Sequence, residues 1–324
     1  MRIAIIPTLG RGDTLAETVC DGLIQLERNG ELEFRLASEM EKRLLLDDHI
    51  LSTKEFATFA RSADLLFLFY SKKKTNTDLV DHLGLWEKTC FFDGSEAGQN
   101  NRFDFALQQA VLDGTYKNYG GIREDILKQC PLYFRREKPY RDGIIPFPFG
   151  IETSYVRHAS DTKKDIDFVC VFGQDEYPLL RRYAREELVR FCEKNGFSYH
   201  VEKTKMPEDF RQLLARAKVG ISVGGGGFDT LRFWEILGNN CLLMTETIDI
   251  YQPDSHELDY ERIWQFGNLY DFRSQLERVG HFLRTEYRQD NLSDEYAAII
   301  KAHSSVARAR TIIDEWHKHG AIGT

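Results

Sequence analysis

The sequence predicts an α/β protein made of two Rossmann-like domains facing each other across a cleft. Three observations carry this. Short apolar runs alternate with amphipathic helical stretches over the first half of the chain. The alternation breaks at IPFPFGIETSYVRHASDTKKD, which is rich in Pro, Ser, Thr and charge and holds no period. It then restarts at DIDFVCVFG. Strand–helix alternation argues for a parallel sheet covered by helices. A length of 324 residues exceeds what one core usually needs. The expected domains are residues 1–148 and 149–303, with a helix over about 304–319 crossing back to the first domain.

The elements follow in order. RIAII (Arg2 to Ile6) reads as a buried strand, and TLAETVCDGLIQLERNG as a helix ending on Gly30. EFRLA, ADLLFLFY (Ala63 to Tyr70), KTCFFD (Lys88 to Asp93), PLYFRRE and GIIPFPF supply the remaining strands of the first domain. In the second, DIDFVCVFG is a strand ending on Gly173, and PLLRRYAREELVRFCEKNG a long helix with Gly196 just past its end. FSYHVEK is a strand, and MPEDFRQLLARA a helix with Pro207 in its first turn. KVGISVGGGG is a strand with its glycine loop, FDTLRFWEILGN a helix, and CLLMTE a strand; from Leu276 onward the chain reads as mostly helical. Ligands of such sheets bind beyond the carboxyl ends of the strands, so the facing cleft is the expected site.

Hydrophobic residues make up 42% and charged residues 29%, an ordinary globular composition. The net charge of -8 disfavours a general nucleic-acid or anionic-membrane binder, because those partners reward excess Lys and Arg. MRIAII is too short for a signal segment, and no run approaches the roughly 18 apolar residues of a membrane span, so the cytoplasm is the expected compartment. The six cysteines (Cys20, Cys90, Cys130, Cys170, Cys192 and Cys241) form no CxxC pair and read as reduced core thiols. His317 and His319 are two apart on a helix and point away from each other, a poor metal spacing. Asp165 and Asp167 form a DxD pattern but open a strand rather than close one, which reads as structural. No metal site is expected. SKKKTNTD, with Lys72 to Lys74, is a solvated loop or the lining of an anionic cleft.

The stretch VGISVGGGGFDTLRFWEILGNNCLLMTE concentrates the candidate site. Gly224, Gly225, Gly226 and Gly227 remove side chains between a buried strand and a helix start, where unpaired N–H groups and the helix dipole favour an anion. The glycines alone fit a ligand cradle or a tight turn equally well. Arg232 and Glu235 lie three apart on one helix face. An arginine fork suits phosphate oxygens, and a glutamate accepts hydrogen bonds from a vicinal diol such as a ribose. An intrahelical ion pair on a solvated face is the alternative. The neighbours Phe233, Trp234, Ile236 and Leu237 argue that the helix is buried, where unpaired charge is costly.

GGGGFDTLRFWEILGNNCLLMTE resembles the nucleotide-binding segment of GT-B glycosyltransferases. The pattern, with Thr230, Leu231, Arg232, Trp234 and Glu235 in order, is similar to the spore-maturation-protein-type group and, more distantly, to the phage DNA β-glucosyltransferases. The likeness covers about Asp165 to Glu246 best and the first domain only loosely. It implies a hexosyltransferase-like enzyme whose donor is a nucleotide-diphosphate sugar, such as a UDP-sugar, with no further cofactor. Arg232 is then implied to meet the diphosphate and Glu235 the ribose. Gly173, just past the first strand of the second domain, marks another expected ligand edge, with Arg181 and Arg182 a little further along; the likeness implies that an arginine near there meets the phosphates, and Arg182 is the choice, with an exposed helix face as the alternative. Many retaining members carry a glutamate at the position of Gly227, so its absence here leans toward an inverting enzyme; many GT-B enzymes also need no metal, because arginine and helix dipoles stabilise the leaving group, so the likeness implies metal independence.

An inverting transfer needs a base for the acceptor. Asp93, at the strand end in KTCFFDGSEAG, is the first candidate, supported by the likeness, and Glu96 the second. A turn or helix cap is the alternative for Asp93. Asp13 in TLGRGDT is a further candidate, or a helix N-cap, with Gly10 and Gly12 letting that loop approach a ligand. The charge argues for a glycan, small-molecule or protein acceptor rather than nucleic acid. Two other functions fit the same residues: a non-catalytic nucleotide-sugar-binding protein, and a sugar-nucleotide epimerase.

Overall fold

The chain was followed as a computed structural model that describes residues 1–8, 14–38, 44, 46–71, 75–96, 121–137, 140–157, 162–173, 179–225, 227–248, 250–251 and 255–322. The first domain holds β1 (Arg2–Ile6), α1 (Thr14–Arg28), β2 (Glu33–Leu36), α2 (Thr53–Ser62), β3 (Leu65–Tyr70), α3 (Thr77–Leu83), β4 (Thr89–Asp93), α4 (Glu124–Leu127), β5 (Leu132–Arg135) and β6 (Ile144–Pro146). Its six strands are all parallel, in the order β2-β1-β3-β4-β5-β6. LLFLFY in β3 is buried up to its last residue because helices cover both faces of the sheet. Pro146 is tolerated because β6 is an edge strand, where a missing N–H breaks no ladder.

The second domain holds α5 (Thr153–Val156), β7 (Ile166–Val169), α6 (Leu179–Asn195), β8 (Tyr199–His200), α7 (Pro207–Arg216), β9 (Ala217–Ser222), α8 (Leu231–Gly238), β10 (Leu242–Glu246), β11 (Ile263–Phe266), α9 (Leu269–Thr285) and α10 (Ser293–His303). Its sheet is also parallel, ordered β11-β10-β9-β7-β8. Both sheets therefore reverse direction after their first strand, between β1 and β3 in one and between β7 and β9 in the other. Such switch points open a crevice at the carboxyl ends of the strands. The strand β11 was not expected from the sequence.

The chain passes between the domains twice, side by side. Ile151 N donates to His303 O (2.8 Å) and Ser305 N to Ile151 O (2.8 Å). Asp21 on α1 fastens both passages, accepting from Thr153 N (2.8 Å), Thr153 Oγ1 (3.0 Å) and Ser305 Oγ (2.6 Å). Beyond Ser305, α11 (Ser305–Ile322) packs along α1. The junction itself is apolar, with Phe149, Ile151 and Tyr155 in one cluster with Trp234, Ile236 and Leu237 of α8.

Gly22 lets α1 approach this passage, because a Cβ there would fall on the Ser305 carbonyl and lie 3.1 Å from Ala309 Cβ. Gly22→Ala must push α11 off α1, and we expect a loss of about 1–3 kcal/mol in urea unfolding, the usual range for overpacking. An unchanged midpoint would show that the two helices can part without cost.

Asp165 and Asp167 at the start of β7 pair with Arg216 (2.9 Å) and Lys218 (2.7 Å), on the edge of the sheet away from the cleft. All six cysteines are free, five of them buried. Among the described residues no helix is long and apolar enough to cross a membrane.

Candidate functional site

The site is built where β7, β8 and β9 end. β9 leaves its buried run through Ser222 and Val223 into the glycine loop. The loop folds on itself, with Gly225 N donating to Gly227 O at 3.0 Å. Thr230 then caps α8, its Oγ1 accepting from Phe233 N at 3.4 Å and lying 3.1 Å from Ser222 Oγ. Four apolar side chains pin the inner face of α8 in the core, leaving Arg232 and Glu235 on its outer flank.

Between these strand ends lies a cleft of about 460 Å³. Phe172 and Gly173 line it from the end of β7, Lys203 and Lys205 from the loop after β8, Phe210 from α7, and Thr230, Arg232 and Glu235 from α8. Arg232 Nη1 donates to Glu235 Oε2 at 2.7 Å, with both side chains mostly buried. The Arg232 guanidinium lies 3.5 Å above the Phe210 ring. The two residues therefore face the cleft and are paired with each other, in a mostly buried place rather than on a solvated face.

The arginine that reaches the glycine loop is Arg181. Its Nη2 donates to Val223 O at 3.1 Å, the guanidinium sits 5.2 Å from the Phe172 ring, and a Cβ at Gly225 would come within 2.9 Å of that Nη2. Arg182, the expected phosphate ligand, instead lies along α6 toward Glu186 (3.7 Å) and over Tyr183. One residue of helix phase, about 100°, separates the two. Gly173 and Gly224 stand at the strand ends as expected, whereas Gly226, Asp13, Gly10, Gly12 and Lys72 to Lys74 lie outside the described residues.

The first domain meets the loop from the other side. Asp93 ends β4, opposite Arg135 in the register of β5. Both side chains are wholly buried and ion-paired, and Asp93 also accepts from Tyr133 Oη (2.7 Å) and Ser95 N (3.0 Å). Burial first, and then the Asp93 charge, drive the Tyr133 hydroxyl well above its ordinary range. A carboxylate so enclosed anchors two strands; the geometry favours that role over proton exchange with an acceptor. Glu96 lies further out and is partly exposed, 3.5 Å from Arg136.

Sequence reasoning missed the residues that join the domains: Arg136, Glu137 and Asp229. Asp229 N donates to Glu137 Oε1 (2.8 Å), and a Cβ at Gly227 would fall on the Glu137 carboxylate, 2.8 Å from its carbon. Arg136 Nη2 lies 3.4 Å from Glu137, and its Nε 3.7 Å from Asp229. Asp229 also accepts from Phe149 N (2.8 Å) in the connector and Trp234 Nε1 (2.8 Å) in α8. Burial pushes the Asp229 carboxyl up to about 6 against the pull of Arg136. Burial alone would lower the Arg136 guanidinium, but Glu137, Asp229 and Glu96 carry it above its ordinary value. The signal available was the charged triplet RRE, whose first residue closes a buried strand, at the edge where ligands and partners meet a sheet.

No family model matches the chain, and no curated protein matches it in sequence. Solved structures do match in fold. A glycosyltransferase from Rickettsia africae ESF-5 superposes with a TM-score of 0.60 at 10% identity, covering 98% of each chain. The fold is GT-B, two Rossmann-like domains face to face. An alpha-glucosyltransferase in complex with UDP and a 13-mer DNA containing a HMU base shares it, with a TM-score of 0.56 at 11% identity over 97% of this chain and 99% of that one. So does HepE of Anabaena in complex with UDP-glucose, with a TM-score of 0.54 at 8% identity over 98% of this chain and 100% of that one.

Proposed function

We propose that this protein is a glycosyltransferase that takes a sugar from a nucleotide-diphosphate donor held in the cleft of the second domain. The observation that carries the reading is the cleft wall itself. A capped helix start, a glycine loop backed by Arg181, and the Arg232–Glu235 pair converge at the switch point of a parallel sheet. The GT-B neighbours bound to UDP or UDP-glucose support the choice of ligand.

The pair suits a swap of partners. A ribose diol replaces Arg232 as the donor to Glu235, and Arg232 turns to the diphosphate, so neither buried charge is left alone. The loop N–H groups, Arg232, Lys203 and Lys205 supply the positive potential that a departing diphosphate needs, and in this reading no metal or further cofactor is required. Glu96 is the base we assign, because of Asp93, Glu96 and Glu137 it is the one that reaches solvent. The leaning toward inversion rested on a carboxylate missing at Gly227. Glu137 of the first domain occupies the space of a Cβ at that position, which still carries no glutamate of its own, and inversion stays part of the reading. With a net charge of -8, the acceptor we propose is a glycan, a small molecule or a protein.

Calorimetric titration with UDP, GDP, dTDP and CMP tests the reading. We expect one nucleotide to bind, and Glu235→Ala to weaken it by roughly 10- to 100-fold, the worth of a charge-assisted hydrogen-bond pair. No affinity for any of the four would overturn the proposal. Release of free nucleotide from the sugar conjugate without an added acceptor would instead favour epimerase-type chemistry. Binding without turnover over a broad acceptor panel would favour a non-catalytic binding protein.

A further inference from the structure

A second groove opens at the other edge of the same sheet, where α9 packs on the edge strand β11. It holds about 710 Å³, within the roughly 300–1,000 Å³ of small-molecule sites. It shares no lining residue with the cleft at the ends of β7, β8 and β9. Trp264 of β11 and Phe282 of α9 form its aromatic wall, with ring centroids 5.7 Å apart. Glu261, Glu277 and Glu286 stand around them, exposed and without an ion pair among the described residues. Arg278 lies over the indole, its guanidinium carbon 5.6 Å from the ring centre. The indole is partly exposed, but its Nε1 is shielded from water and meets no acceptor among the described residues. Such an N–H is costly to leave unmade, and a shielded indole ordinarily has a partner.

We propose that this groove is a carbohydrate-binding site, separate from the donor cleft, and that its occupant is a neutral oligosaccharide. The walls ask for three things at once: apolar faces to lie against two rings, an acceptor for the indole N–H, and donors for three carboxylates. A pyranose brings all three, because its C–H faces are apolar and each hydroxyl both donates and accepts. An organic cation suits the rings and the carboxylates but brings no acceptor to Nε1. An anion meets three glutamates. The groove follows α9 from Glu277 to Glu286, roughly 14 Å along the helix axis, which is longer than one sugar ring and fits a short chain of them. Arg278 is exposed and flexible, so it swings off the indole as the sugar arrives and donates to the sugar oxygens instead.

This site needs no nucleotide. Joined to the proposed function, it keeps a glycan acceptor on the enzyme between transfers and raises its effective concentration at the cleft.

Calorimetry and intrinsic fluorescence with maltohexaose, cellohexaose, mannohexaose and chitohexaose, in the absence of nucleotide, test the site. We expect at least one of the four to bind the wild type and change its tryptophan emission. Trp264→Ala should weaken that binding by at least about tenfold. Glu277→Gln should weaken it by at least about threefold. Glu277 lies on the exposed face of α9, so its variant covers the case of a poorly folded Trp264→Ala. Oligosaccharide binding that the folded variants leave unchanged would overturn the proposal, because the sugar would then sit elsewhere. Absence of binding by all four at millimolar concentration would overturn it too. Quenching of Trp264 by tetramethylammonium or by a lysine-rich peptide, with no oligosaccharide bound, would replace it with a cation or peptide groove. With no nucleotide present, none of these results bears on the donor cleft.

Discussion

Arg135→Met should destabilise the protein by about 3–5 kcal/mol, because it leaves Asp93 as an uncompensated charge in a wholly buried place. The pair faces itself across β4 and β5, and Tyr133 and Ser95 complete the set of partners. The double variant Arg135→Met with Asp93→Leu should recover most of that loss, since an apolar pair often replaces a buried ion pair at little cost. Urea unfolding followed by circular dichroism gives both values. A single-variant loss below about 1 kcal/mol would mean that water reaches Asp93. That outcome would return Asp93 to first place as the acceptor base.

The second large effect is an acid weakness at His303. Its ring is buried between Trp234 and Tyr260, with Nε2 2.9 Å from Tyr260 Oη and Nδ1 3.2 Å from the Arg308 guanidinium. A guanidinium can only donate, so Nδ1 accepts and the folded ring is neutral. Burial, and then the Arg308 charge, pull the imidazolium down to about 3 from an ordinary 6.5. The folded pKa is depressed, so the unfolded chain binds the proton first. The stability that His303 contributes is whole above pH 6.5 and drains as pH falls toward about 3. The linked free energy is roughly 4 kcal/mol. Asp229 works the other way over part of that range, because its carboxyl is raised from 3.8 to about 6 and its ionised form is the costly one. The difference between wild type and His303→Gln isolates the histidine. The variant should be less stable at pH 7.5 and should narrow the gap, or reverse it, by pH 4.5. A gap that stays constant between those two values would refute the assignment.

How much of this was legible depended on range along the chain. The strands were readable because strands buried on both faces are unbroken apolar runs, as in LLFLFY and TCFFD. β11 was not, because IWQF is a short edge strand with most of its residues partly exposed. The glycine loop and the Arg232–Glu235 face were legible because each is set by spacing within a few residues. The choice between Arg181 and Arg182 was not, since the phase of α6 depends on which face packs. Asp93 was correctly placed at a strand end. Its partner Arg135 lies 42 residues on, and only the register of two neighbouring strands brings them together. Glu137 and Asp229 are 92 residues apart and meet only when the domains do. Local pattern thus pointed to the second domain's half of the candidate site, and the contacts that the first domain makes with it waited for tertiary structure.

The paired passages between the domains fix an order of events during translation. The strands β7 to β11 and their helices are contiguous in the chain, so the second domain is complete once Ser304 has left the ribosome. The first domain is not, because α11 supplies the layer that lies on α1. Until then the α1 face that carries Gly22 stays bare, and Asp21 lacks the Ser305 hydroxyl. The half of the protein made first is therefore the half finished second, and a nascent chain halted before residue 305 presents an apolar helix face to whatever chaperone or neighbour is at hand.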